Sequence, residues 1–254
     1  MPPPAAKSCL LARGTASQGG PGPTDAAHRP TPAGWQDCLV GERNWTVVVP
    51  VKRLESAKSR LRGALGGVPH ELLALALAKD TVGAALACAP VRELLVVTDD
   101  PEATRVLGRL GARIIGEPPE SGLNPAFGRG ATLVADGWVA ALTADLPALR
   151  PAELAEALRA AEIGPSGVRR FVADAPGTGT VLLTAPPGVP LDPRFGPRSA
   201  AAHAASGAVP LTPAWPTLRR DVDTPADLLA ATTLGLGRHT AELTRRSAPA
   251  GADR

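Results

Sequence analysis

From Trp45 onward, short unbroken apolar runs alternate with longer stretches of helical spacing. WTVVVPV, residues 45–51, is continuous and rich in β-branched residues, which predicts a strand buried on both faces. The polar segment KRLESAKSRL follows it. Residues 69–89, PHELLALALAKDTVGAALACA, have helical periodicity and a proline near the first helical position. ELLVVT is a second buried strand, and Asp99 or Asp100 caps the helix beginning PEATRVLGRL. ARII, a helix over residues 124–134, the strand WVAAL and the helix AELAEALRAA complete four strand–helix units. That alternation predicts an α/β sandwich with a mainly parallel central sheet and helices on both faces.

The second half changes character. FVADA, GTVLLT, AVPL and LRRDV read as short strands between Pro/Gly loops, with one helix near SAAAHAASGA and another starting at Thr224. Residues 1–44 are rich in Pro, Gly, Ala and Ser and lack periodicity, so they read as a disordered extension. Residues 238–254 are polar and read as a flexible tail, leaving 45–237 as the ordered domain.

Composition narrows the function classes. A net charge of +3 with no nucleic-acid-binding signature argues against DNA or RNA as a partner. No apolar run approaches the roughly 20 residues that span a bilayer. Three scattered cysteines, Cys9, Cys38 and Cys88, form neither a disulfide framework nor a zinc motif, and a reducing cytoplasm is the expected location. There is no GxxxxGK[ST] loop, no GxGxxG after the first strand and no GxSxG elbow. Walker-type NTPases, standard dinucleotide oxidoreductases and α/β-hydrolases are thereby disfavoured.

Ligands of open α/β sheets sit at the carboxyl ends of the strands. The loop after the first strand carries Lys52, Arg53, Lys58 and Arg60, and so holds two of the chain's four lysines. Such a cluster either binds a triphosphate and its pyrophosphate leaving group or is a solvated basic turn. Asp145 directly follows WVAALTA and is either a Mg²⁺ ligand or a loop carboxylate. Asp221 and Asp223 are spaced so that both face one side of an extended segment. Asp223 is alternatively the cap of the last helix. GTGT (177–180) and FGPRS (195–199) combine glycine with hydroxyls, as anion nests and ordinary turns both do. Ser199 precedes a helix, and His203 on that helix reads as structural rather than catalytic.

In order along the chain, VVPVKRLESAKSRL, VVTDD, SGLNPA, ADLPAL, FVADAPGTGT, LDPRFGPRSAAAHAASGA and RDVDTPADL resemble the guanylyltransferases of coenzyme F420 biosynthesis. Among these they are most similar to the type that acts on phosphoenolpyruvate. The resemblance covers residues from about 45 to 237. It implies a nucleotide-diphospho-sugar-transferase-like three-layer sandwich. It implies transfer of GMP from GTP to phosphoenolpyruvate, with one or two Mg²⁺ ions and a downstream pathway transferase as partner. By position it implies that Thr180, Gly196 and Ser199 contact phosphoenolpyruvate and that Asp145, Asp221 and Asp223 hold the metal. Lys52 and Lys58, with Arg53 and Arg60, would hold the triphosphate, and Asn124 would lie near the nucleoside. ADLP carries Ala144 where many related nucleotidyltransferases have Gly. The rival readings are the same reaction on 2-phospho-L-lactate or 3-phosphoglycerate, a molybdenum-cofactor or sugar nucleotidyltransferase, and a non-catalytic nucleotide-binding protein. PVKRLESAK lacks the Gly-rich loop usual after the first strand of the molybdenum-cofactor and sugar enzymes.

Overall fold

A computed structural model describes residues 45–118 and 122–247. The expected N-terminal extension, and residues 248–254 of the expected tail, lie outside the described residues. The elements run β1 (Trp45–Pro50), α1 (His70–Leu86), β2 (Val91–Val97), α2 (Pro101–Arg109), β3 (Arg113–Ile115), α3 (Leu123–Ala131), β4 (Trp138–Leu142) and α4 (Pro151–Glu162). They continue with β5 (Arg170–Ala173), β6 (Thr180–Ala185), α5 (Ser199–Ala205), β7 (Val209–Pro210), α6 (Pro216–Arg219), α7 (Pro225–Leu234) and α8 (Arg238–Ser247).

Seven strands form one sheet in the order β3-β2-β1-β4-β6-β5-β7. The first four pair in parallel, as the strand–helix alternation predicts. β6 alone runs against its neighbours: it pairs antiparallel with both β4 and β5, and β7 pairs parallel with β5. This reversal matters for the site. The beginning of β6 lies beside the carboxyl end of β4, and Thr143 donates its N–H to the carbonyl of Val181 at 3.0 Å.

The sheet is covered on both faces. Along β1, Val47 and Val49 pack with Val82, Leu154 and Leu158 of α1 and α4. Val48 points the other way, among Leu95, Phe127 and Leu183. All six β1 residues are buried, which explains why the run shows no polar alternation. α3 lies so close to β1 that a Cβ at Gly130 would overlap the Val48 side chain. Trp45 stacks at a tilt on Trp138, with ring centroids 4.9 Å apart, and donates its indole N–H to Glu162.

Two expectations are corrected. LRRDV is not a strand. Pro216 opens a helical turn, and Glu153 of α4 accepts the N–H groups of Thr217 and Leu218, so the segment begins as α6. The flexible tail is also wrong over residues 238–247, which form α8. Asp80 of α1 accepts the N–H groups of His239 (3.0 Å) and Thr240 (2.8 Å), so it caps α8 from a distant element. Gly237 fits against Asp80, where a Cβ would overlap it, and donates its N–H to Pro147 at 2.7 Å. α8 is polar along most of its length, so hydrophobic periodicity does not reveal it.

Candidate active site

A cleft of about 800 Å³ opens at the carboxyl ends of β1 and β4 and the beginning of β6. The basic loop forms one part of it. Leu54 and Leu61 anchor the loop in the core, and Asp100 accepts the Leu54 N–H at 2.9 Å while capping α2 through Glu102 and Ala103. Of the four cations, Lys52, Lys58 and Arg60 line the cleft, whereas Arg53 does not. Lys58 has φ +53°, an uncommon conformation for a residue with a Cβ.

The ammonium of Lys58 is held between two carboxylates. It forms a close ion pair with Asp145 and a second with Asp223 at 2.5 Å. Burial alone would lower its pKa, but the two carboxylates more than reverse that and hold it above the usual lysine value. Asp145 sits in the turn after β4, where Thr81 of α1 accepts the Leu146 N–H at 2.9 Å and donates to Leu77. The turn geometry is therefore set from the core.

Asp221 and Asp223 both line the cleft, and Val222 between them is fully buried. The spacing argument is thus met in an extended segment that is not part of the sheet. Asp223 is not the cap of α7. Thr224 caps it, accepting from Asp227 in a capping box. Burial, together with the negative charges of Asp145, Asp223 and Asp174, pushes the Asp221 carboxyl up to about 7, against the pull of Lys58. Three carboxylates with one ammonium leave a local shortage of positive charge. Asp145 Oδ1 is moreover buried with no hydrogen-bond partner. Hard oxygen donors with an orphaned carboxylate oxygen fit a divalent cation such as Mg²⁺. Among the described residues, no group of three metal-ligating side chains is preassembled, in keeping with Lys58 standing between Asp145 and Asp223.

Thr180, Gly196 and Ser199 line the same cleft. Neither glycine-containing loop is a simple open nest. Asp174 accepts the N–H groups of Thr178 and Gly179, both at 2.8 Å. Ser199 N–H goes to Gly196, and Ala200 N–H goes to Thr178, which binds the two loops together. A Cβ at Gly179 would overlap the Asp174 carboxylate. Asp174, which sequence reading passes over, is therefore the organiser of GTGT. Its visible signal is a carboxylate three residues before a Gly-Thr-Gly turn.

Asn124 follows the cleft-lining Leu123, and its amide clamps Phe195 at both ends: Oδ1 accepts the Phe195 N–H at 2.7 Å and Nδ2 donates to the Phe195 carbonyl at 3.0 Å. It braces the loop that carries Gly196 and Ser199. Arg198, overlooked in the sequence, lines the cleft in a left-handed conformation, with φ +57°.

The family described as "Guanylyl transferase CofC like" matches residues 45–195. A phosphoenolpyruvate guanylyltransferase of Salinispora arenicola is 64% identical over 205 residues, covering 81% of this chain and 95% of its own. One from Geodermatophilus obscurus is 56% identical over 210 residues, covering 81% and 96%. Among solved structures, a Desulfovibrio desulfuricans G20 protein named for the nucleotide-diphospho-sugar transferases superposes with a TM-score of 0.55 at 12% identity. That match covers 82% of this chain and 99% of the other, and bears on the fold alone.

Proposed function

The chain belongs to the CofC-like guanylyl transferase family, and from that premise we propose that it transfers GMP from GTP to phosphoenolpyruvate. The products are enolpyruvoyl-2-diphospho-5'-guanosine and diphosphate, and the reaction belongs to coenzyme F420 biosynthesis in the cytoplasm. The observation that carries the reading is the Lys58 ammonium clasped by Asp145 and Asp223 in a cleft also lined by Thr180, Gly196 and Ser199. One region suits a triphosphate and a cation; the other suits a small anion.

A phosphate oxygen of phosphoenolpyruvate attacks the α-phosphorus of GTP. The bond from that phosphorus to the bridging α–β oxygen breaks, and diphosphate leaves with the electron pair. The acceptor phosphate is already ionised near neutral pH, so the site needs no strong base, and positioning with charge compensation carries the catalysis. Lys52, Lys58 and Arg60 neutralise the triphosphate and the departing diphosphate. Thr180, Gly196 and Ser199 orient the acceptor. Asp145, Asp221 and Asp223 would hold Mg²⁺, which when bound supplies Lewis-acid stabilisation of phosphate charge. Guanine recognition rests on the family relationship.

The test is diphosphate release from GTP and phosphoenolpyruvate with Mg²⁺. It should require both substrates and disappear in Asp145→Asn while the fold persists. Diphosphate release by Asp145→Asn at the wild-type rate would remove Asp145 from the site.

A further inference from the structure

His203 is fully buried at the junction of the two acceptor loops, and the proposed GMP transfer has no chemical step for it. Its ring lies edge-on to Phe195, with centroids 5.1 Å apart, and tilted against Phe171 at 5.9 Å. Both ring nitrogens are engaged. Nε2 accepts the backbone N–H of Arg194 at 2.9 Å, and Nδ1 lies 2.9 Å from the Thr180 hydroxyl oxygen.

Those two contacts fix the proton. A ring nitrogen that accepts an amide N–H bears no hydrogen, so the neutral ring carries its hydrogen on Nδ1. Nδ1 then donates, and the Thr180 oxygen accepts. Burial, joined by the charges of Arg169 and Arg194 and opposed by Asp192 and a hydrogen bond to the Ser199 backbone, brings the His203 pKa down to about 4, so the ring is neutral near neutral pH. A hydroxyl has one hydrogen to give. With its oxygen already accepting from His203, the Thr180 hydroxyl is left as a donor. No protein acceptor for it occurs among the described residues, and Thr180 lines the cleft.

We infer that His203 is a positioning residue that fixes the Thr180 hydroxyl as a hydrogen-bond donor to an anionic oxygen of the acceptor substrate. The inference rests on the proposed reading that Thr180 faces the acceptor. Without Nδ1–H, the hydroxyl can rotate and turn a lone pair toward the anion. Ground-state recognition of the acceptor then suffers, while the nucleotide half of the cleft is untouched.

A double-variant cycle in the full chain separates this from a packing role. Steady-state KM values for phosphoenolpyruvate and GTP, with kcat, are measured for wild type, Thr180→Val, His203→Phe and the pair. Each single variant should raise the acceptor KM roughly tenfold, as loss of a hydrogen bond to a charged group does. GTP KM should stay within about twofold, and the pair should be no worse than Thr180→Val alone. His203→Asn, which keeps an amide donor, should recover much of the loss. Effects that add across the pair, or a parallel rise in both KM values, would overturn the inference. Nitrogen-15 shifts of the His203 ring provide a check that needs no variant: the Nδ1–H tautomer is expected, and an Nε2–H tautomer would overturn it. If wild type itself does not use phosphoenolpyruvate, the functional reading fails; if wild type is active and the cycle is additive, only the His203 inference fails.

Discussion

Val222 donates its backbone N–H to the carbonyl of Asp145 at 3.0 Å. This bond joins the turn after β4 to the segment before α7, parts of the chain remote in sequence. Because Val222 is fully buried, its neighbours Asp221 and Asp223 are turned toward the cleft beside Asp145. The acidic side of the site is thus held by backbone hydrogen bonding and apolar burial, and the charged side chains need not hold themselves there. The charge cost of the cluster is left to Lys58 and to whatever cation accompanies the nucleotide.

Lys58→Met removes the ammonium between Asp145 and Asp223. Turnover should fall by roughly a hundredfold, the scale of losing one charge-stabilising group. The melting temperature should change little or rise at acidic pH, where the freed carboxylates protonate. Diphosphate-release kinetics beside thermal melts check this. Lys58→Arg should not restore wild-type rates, since a planar fork does not replace a compact point charge between two carboxylates.

Gly179→Ala drives a Cβ into the Asp174 carboxylate. The two N–H bonds that shape GTGT are then lost or stretched. The acceptor KM should rise by about tenfold, equivalent to about 1.4 kcal/mol, with GTP KM nearly unchanged. Parallel titrations of the two substrates read the split.

His203 gives stability a pH dependence of known sign. Its folded-state pKa, about 4, lies below the ordinary histidine value of 6.5. Between those values the unfolded chain binds a proton that the folded chain refuses. The stabilisation is therefore complete above about pH 6.5 and is lost progressively as pH falls toward about 4, by on the order of 3 kcal/mol. Chemical denaturation at several pH values should show this slope in wild type and a smaller one in His203→Phe.

Much of this was legible in the sequence, for identifiable reasons. β1, β4 and the LLVV stretch of β2 are apolar runs because both faces of the sheet are covered there, and Asp100 caps α2 as its position before Pro101 indicates. The carboxyl-end rule led to Lys52, Lys58 and Asp145, all of which line the cleft. Direction of pairing was not legible: nothing in GTVLLT distinguishes the antiparallel β6 from a parallel strand, yet its reversal is what sets Thr180 beside Asp145. α8 was invisible because it is largely polar and its first turn is capped by Asp80, on an element far away in sequence. The Asn124 clamp was likewise not legible, because an amide at the start of a helix looks the same whether or not it meets the backbone of Phe195.

The most direct test of the central claim is mass spectrometry of an early-quenched reaction. It contains the full chain, GTP and Mg²⁺, with phosphoenolpyruvate, 2-phospho-L-lactate or 3-phosphoglycerate offered separately. A GMP adduct of phosphoenolpyruvate, with matching diphosphate and little adduct from the other two, is the predicted result. An adduct formed only with one of the other acceptors, or none with any, would contradict it.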